Sequence, residues 1–174
     1  MKNFKKLMLV LTAIAMVSCG EKKEKEQIDL NDNSVGTTES VTEEKSTQDE
    51  NVVEITITGN DQMQYDLKEM KVKAGQTVRV TLKHIGKMDK NVMGHNWVLL
   101  TNGTDVPEFG ALAGAAKATD YVPAGTDKVI AHTKLLSGGE SDTIEFVAPA
   151  AGTYDFICSF PGHYALMKGK FIVE

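Results

Sequence analysis

From residue 52 to the end of the chain, apolar and polar positions alternate in short bursts. Val53, Ile55 and Ile57 alternate with Glu54, Thr56 and Thr58, the period-two signature of a half-buried strand. Gly59-Asn60-Asp61 ends that run in a turn. Met70-Lys71-Val72-Lys73 precedes Ala74-Gly75, after which Val78, Val80 and Leu82 alternate with Arg79, Thr81 and Lys83. The same reasoning predicts strands within residues 95–101, 128–133, 141–147, 153–158 and 169–174. Short strands separated by Gly and Pro turns predict an all-β sandwich or barrel. Residues 106–119 break the pattern. They are alanine-rich, and Pro107 near their start suits the first turn of a helix. One short helix is therefore expected as an insertion among the strands. No internal repeat is evident.

The first fifty residues follow different rules. Lys2, Lys5 and Lys6 form a basic start, residues 7–17 are almost wholly apolar, and Ser18-Cys19-Gly20 follows. That is the order of a secretory signal. Its greasy core is too short for a membrane-spanning helix, which needs roughly 20 residues. A cysteine at the boundary resembles a bacterial lipoprotein signal, in which the thiol is acylated and becomes the new N-terminus. Met16 departs from the aliphatic residue such signals usually carry there. The expectation is a signal peptide over residues 1–18, an acylated Cys19, and a lipid anchor in a cell-envelope membrane, facing the periplasm or the cell surface. An ordinary signal peptide with an incidental cysteine is the plainer alternative.

Residues 20–51 hold ten acidic side chains against four lysines, a net of −6. They hold few aliphatics, too little apolar surface to offset ordering entropy. Residues 19–51 are thus expected to be an acylated, disordered acidic tether, and residues 52–174 the folded domain. The whole chain carries −5. With the tether set apart the domain is nearly neutral, so it has no large field to steer a partner. No basic stripe suggests a nucleic-acid partner.

Cysteine use sharpens the chemistry. Cys19 and Cys158 are the two cysteines, too few for a disulfide framework. Cys158-Ser159-Phe160-Pro161-Gly162-His163-Tyr164-Ala165-Leu166-Met167 places a thiol, an imidazole and a thioether within ten residues. They lie at the end of a predicted strand, in a loop turned by Pro161-Gly162. Taken singly, Met167 reads as core, and Cys158 as a buried thiol or a ligand. Taken together, and joined by His95 in Met93-Gly94-His95-Asn96-Trp97, they match two His and one Cys with a weak axial Met, the blue-copper pattern.

These segments resemble azurin, the bacterial cupredoxin family. Residues 91–99 carry the resemblance, with the Cys158 to Met167 segment and Lys168-Gly169. So do Gly59-Asn60-Asp61-Gln62-Met63-Gln64 and residues 129–135. It spans residues 52–174. It implies a cupredoxin-like Greek-key β-sandwich of about eight strands, monomeric, with one type 1 copper ion. His95, Cys158 and His163 would be equatorial ligands, Met167 one axial group and the Gly94 carbonyl the other. Asn96 would brace the two ligand loops near Ser159, and backbone amides after Cys158, such as that of Phe160, would bond its sulfur. Trp97 would be core, His84 a buried histidine near the site, and His132 a surface one. Met88, Val92, Met93, Phe160, Pro161 and Leu166 would form an apolar docking patch around His163. Azurins carry a disulfide near the domain start. The aligned positions here are Val53 and Gly75, so that staple is missing.

The function this implies is single-electron transfer rather than catalysis. The partners would be redox proteins such as cytochromes c, nitrite reductase, oxidases or peroxidases. Two other classes stand beside it. One is copper storage or delivery. The other is an enzyme using Cys158 and His163 as nucleophile and base, which leaves Met167 and His95 without a role.

Overall fold

The computed structural model describes residues 51–174. The expected leader, Cys19 and tether lie outside the described residues. The described chain forms nine strands: β1 (Val52–Asn60), β2 (Gln64–Tyr65), β3 (Glu69–Val72), β4 (Thr77–His84), β5 (Val98–Leu100), β6 (Val129–His132), β7 (Ser141–Val147), β8 (Gly152–Ile157) and β9 (Lys168–Val173). They make two sheets, ordered β2-β1-β4-β7 and β3-β9-β8-β5-β6. The strand beyond the expected eight is β2, two residues long. It forms because Asn60 turns the chain back, its side-chain oxygen accepting the backbone N–H groups of Gln62 and Gln64.

Alternation works as physics requires. In β4, Val78, Val80 and Leu82 are buried while Lys83 is exposed. β1 runs parallel to β4 with Ile55 opposite Val80 and Ile57 opposite Leu82, so both strands send the same face inward. β3 runs parallel to β9, pairing Glu69 with Lys170. Between the sheets, the fully buried Trp97 ring lies 5.8 Å from Phe156, 6.0 Å from Phe146 and 6.3 Å from Phe171. Each such buried side chain contributes about 1.5–3 kcal/mol. Among the described residues no disulfide occurs, and Cys158 is a free buried thiol. The start of β1 is held instead by the ladder to β4 and by Thr77 donating to the Asn51 carbonyl at 2.9 Å.

The helical insertion is shorter than its composition suggests. α2 covers Val106–Gly114, with Asp105 accepting from the Glu108 N–H. A 3-10 turn at Lys117–Thr119 follows, and then Asp120 and Tyr121 adopt φ of 53° and 62°. Those left-handed residues stop any continuation of a helix. A second, single-turn helix, α1 (Lys90–Met93), is capped by the Asp89 side chain, which accepts from the Asn91 N–H. The strand expected over 95–101 shrinks to β5. Trp97 gives its N–H to the Thr133 hydroxyl rather than to a neighbouring strand, and His95 pairs with Leu136 in an isolated bridge.

Candidate metal centre

Three side chains from two loops meet at one end of the sandwich. β8 ends at Ile157, and Cys158 continues its line, donating its N–H to the Met167 carbonyl at 2.9 Å. The chain then turns through Pro161-Gly162, where Gly162 takes φ 81°, a conformation that favours glycine. A 3-10 turn, His163–Ala165, brings the second imidazole back. The His163 carbonyl accepts the N–H of Leu166 and of Met167, so one short turn carries His163 and Met167 together. His95 arrives from the other loop, fixed by the bridge to Leu136.

The result is compact. Cys158 Sγ lies 3.6 Å from His163 Nδ1 and 4.0 Å from His95 Nδ1. One donor atom each from His95, Cys158 and His163 falls within 4.8 Å of the others. The Gly94 carbonyl oxygen is 3.8 Å from the same sulfur. Met167 is fully buried, and a Cβ on Gly59 would sit 3.2 Å from its Cε and 3.0 Å from the His95 ring. Gly59 thus leaves room where β1 backs onto the site.

The His95 tautomer is set by its surroundings. His95 Nε2 lies 2.8 Å from the Asn60 carbonyl. A carbonyl can only accept, so Nε2 carries the proton and Nδ1 presents a lone pair toward the sulfur. Burial lowers the His95 imidazole and pushes His163 down to about 4, which keeps both neutral and ready to ligate. Burial raises the Cys158 thiol to about 12, against the opposing pull of the Asn96 and Phe160 backbone amides. A cation here must therefore displace a proton from sulfur. Buried soft sulfur with two neutral imidazoles suits copper.

Around this set, Asn96 is fully buried and spans the loops. Its side-chain oxygen accepts the Ser159 N–H at 2.9 Å, and its amide donates to Ser159 Oγ and to the Asp120 carbonyl, both at 2.9 Å. His84 stacks on His95 with centroids 4.2 Å apart, Nε2 toward the Met93 carbonyl. His132 is exposed. Of the expected patch residues, Met88, Val92 and Leu166 are 44%, 65% and 57% exposed. Pro161 is exposed and Met93 half-buried. Phe160 differs from expectation. It is buried against Tyr121 and His163, at 5.1 Å and 4.6 Å, so it underlies the patch instead of lining it. Ile85, not anticipated, is 61% exposed just past β4.

Residues that pattern reading missed also serve the site. Tyr65 is buried, and its hydroxyl donates to the Asn96 carbonyl. Lys68 donates to the Leu166 carbonyl at 3.1 Å. Asp61 accepts the N–H groups of Lys87 and Met88, fixing the loop that presents Met88. The Gly59-Asn60-Asp61 turn was the one available signal for this wall.

A sequence profile described as copper binding proteins, plastocyanin/azurin family, matches residues 51–174. This chain belongs to that family. Its fold is the cupredoxin sandwich, and its cofactor is one copper ion. An azurin from Achromobacter denitrificans is 51% identical over 123 residues, 67% of this chain and 80% of the relative. An azurin from Bordetella pertussis is 52% identical over 122 residues, 66% and 79% of the two chains. Among solved structures, reduced auracyanin from Roseiflexus castenholzii is 40% identical with a TM-score of 0.64, covering 70% of this chain and 96% of its own. Auracyanin A from Chloroflexus aurantiacus, a "blue" copper protein, is 36% identical with a TM-score of 0.65, covering 71% and 99%. Among the described residues no helix is long and apolar enough to cross a membrane.

Proposed function

We propose that this azurin-like domain carries single electrons between redox proteins, held by His95, Cys158, His163, Met167 and the Gly94 carbonyl around its metal. The observation that carries the reading is a closed donor set beneath an apolar rim. Copper bound to these donors supplies one-electron chemistry, cycling between two oxidation states. The chain's part is to hold the donors still. Asn96 ties the His95 loop to Ser159, and the His163 turn ties two ligands to one another. Of the four ligand side chains, His163 is the one that reaches the surface, 3% exposed against 0% for the rest. Electrons would pass at its edge, to a partner seated on Met88, Val92 and Leu166. Small transient interfaces suit such exchange. Candidate partners are cytochromes c, nitrite reductase, oxidases or peroxidases.

The same proposal places the domain in a bacterial cell envelope. Residues 1–18 would be removed, Cys19 acylated, and residues 19–51 would tether the domain to a membrane. Support comes from the basic start, the apolar run and the cysteine at the composition boundary. Loss of label from palmitate-fed cells in Cys19→Ala is the expected result. Equal labelling of both proteins would remove the anchor.

The central test uses the full chain. Cu(II) should give an intense blue absorption that Cys158→Ala abolishes. In stopped flow, exchange with a cytochrome c should be fast and slowed by Val92→Glu. A colourless protein, or slow exchange indifferent to Val92→Glu, would overturn electron carriage. Rapid handover of copper to an acceptor protein in the second case would favour storage or delivery.

A further inference from the structure

Helix α2 contributes no donor and no patch residue to the site described above. It nevertheless touches the ligand loop. Gly110 is buried in the middle of α2, and a Cβ there would sit 2.4 Å from Tyr164 Cδ1, 2.6 Å from Cε1 and 2.7 Å from Cγ. No side chain fits in that gap, so the Tyr164 ring lies directly on the helix backbone. The ring also packs on the cluster formed by Val98, Leu100, Phe109, Ala113, Val122 and Ile157.

Tyr164 is the residue after His163, inside the same 3-10 turn. Because the His163 carbonyl accepts the Leu166 and Met167 N–H groups at 3.0 and 2.8 Å, whatever holds Tyr164 holds both ligands. The insertion grips the loop a second time. Tyr121, just past α2, stacks edge-on against Phe160 at 5.1 Å. The two grips fall on either side of His163. With His163 almost fully buried and the other donor side chains fully so, metal entry requires a loop to move, and this turn carries two of the donors.

We infer that the Gly110–Tyr164 contact is a latch: it positions His163 and sets the rate at which the copper site opens. The inference rests on the copper reading above for its metal, and on the contact itself for its mechanics. Tyr164 is a positioning residue, acting through His163.

The experiment uses the full chain, copper-free and copper-loaded, with Gly110→Ala, Tyr164→Ser and the double variant. Amide hydrogen exchange at Leu166 and Met167 in the copper-free protein should rise about tenfold or more in each single variant, since local opening is governed by local packing. Amides of β1 and β4 should not change. Transfer of copper to a strong chelator should accelerate in parallel, and Gly110→Ala should add nothing once Tyr164→Ser has removed the ring. Unchanged exchange at Leu166 and Met167 in Tyr164→Ser overturns the latch, even if Gly110→Ala fails to fold. Raised exchange with an unchanged transfer rate also overturns it. A chain that takes up no copper would overturn the copper reading, and the amide measurement would still decide whether the contact holds the turn.

Discussion

Replacing Asn96 by alanine tests how the two ligand loops are joined. The change removes an acceptor for the Ser159 N–H and a donor to the Asp120 carbonyl. Ser159 is fully buried, so its N–H is left with no partner, at about 1–3 kcal/mol. Asp120 is half-buried, and water can take over part of that bond. The sum is a loss of about 2–4 kcal/mol. For a domain of this size each kcal/mol lowers the melting temperature by roughly 3–6 °C, so a fall of about 6–24 °C is expected. Ser159→Ala removes the hydroxyl but leaves the backbone N–H bonded to Asn96, and should cost about 1 kcal/mol. Urea unfolding of the copper-free full chain, followed by Trp97 fluorescence, measures both. A loss below about 1 kcal/mol for Asn96→Ala, or equal losses for the two variants, would show that the loops are held together by something else.

The copper-free protein should be most stable near neutral pH. His163 is held down to about 4 in the folded state, so the unfolded chain binds more protons between about 6.5 and 4, and stability falls as pH drops through that window. Cys158 is raised to about 12 from 9.0, so stability is lost again as pH rises above 9; a urea series across pH checks both limbs. Copper uptake at pH 7 should release one proton, from the Cys158 sulfur, countable in unbuffered solution. Gly59→Ala should weaken copper binding by about tenfold or more, because its methyl would crowd the His95 ring and Met167; competition with a chelator reads this directly. Phe156→Ala should cost about 3–5 kcal/mol and shift Trp97 emission to longer wavelength. The indole N–H has no partner in a fully buried, aromatic pocket, and a wavelength unchanged from the parent would contradict that setting.

The grouping of His95, Cys158 and His163 was readable because these residue types are crowded into one segment and one short motif. The strands were readable because Val53 to Ile57 and Val78 to Leu82 keep a strict alternation. What pattern could not supply is long-range. Tyr65 looks like an ordinary strand aromatic until β2 folds against Asn96. Lys68 looks like a solvated charge until the Leu166 carbonyl arrives. The helix over 106–119 stops at Gly114, and the chain beyond it turns so that the Asp120 carbonyl accepts from Asn96, a partner that no local pattern announces. The resemblance puts Phe160 in the apolar patch, whereas it is buried with Tyr121 packed edge-on against it. Apolar rims are read from sequence as lists, and burial decides which members face outward.

The parallel pairing of β3 with β9 sets an order of events during synthesis. Glu69 cannot meet Lys170 until all the residues between them have been made, and closing so long a loop is slow. Cys158, His163 and Met167 sit between β8 and β9, on the same late segment. A ribosome-bound chain therefore carries His95 long before it has anything to share a metal with. The thiol is made after β8, and β9, which pairs with both β8 and β3, follows it. The three donors can therefore come together only once His163 has been made, an order written into the succession of strands rather than into any regulator.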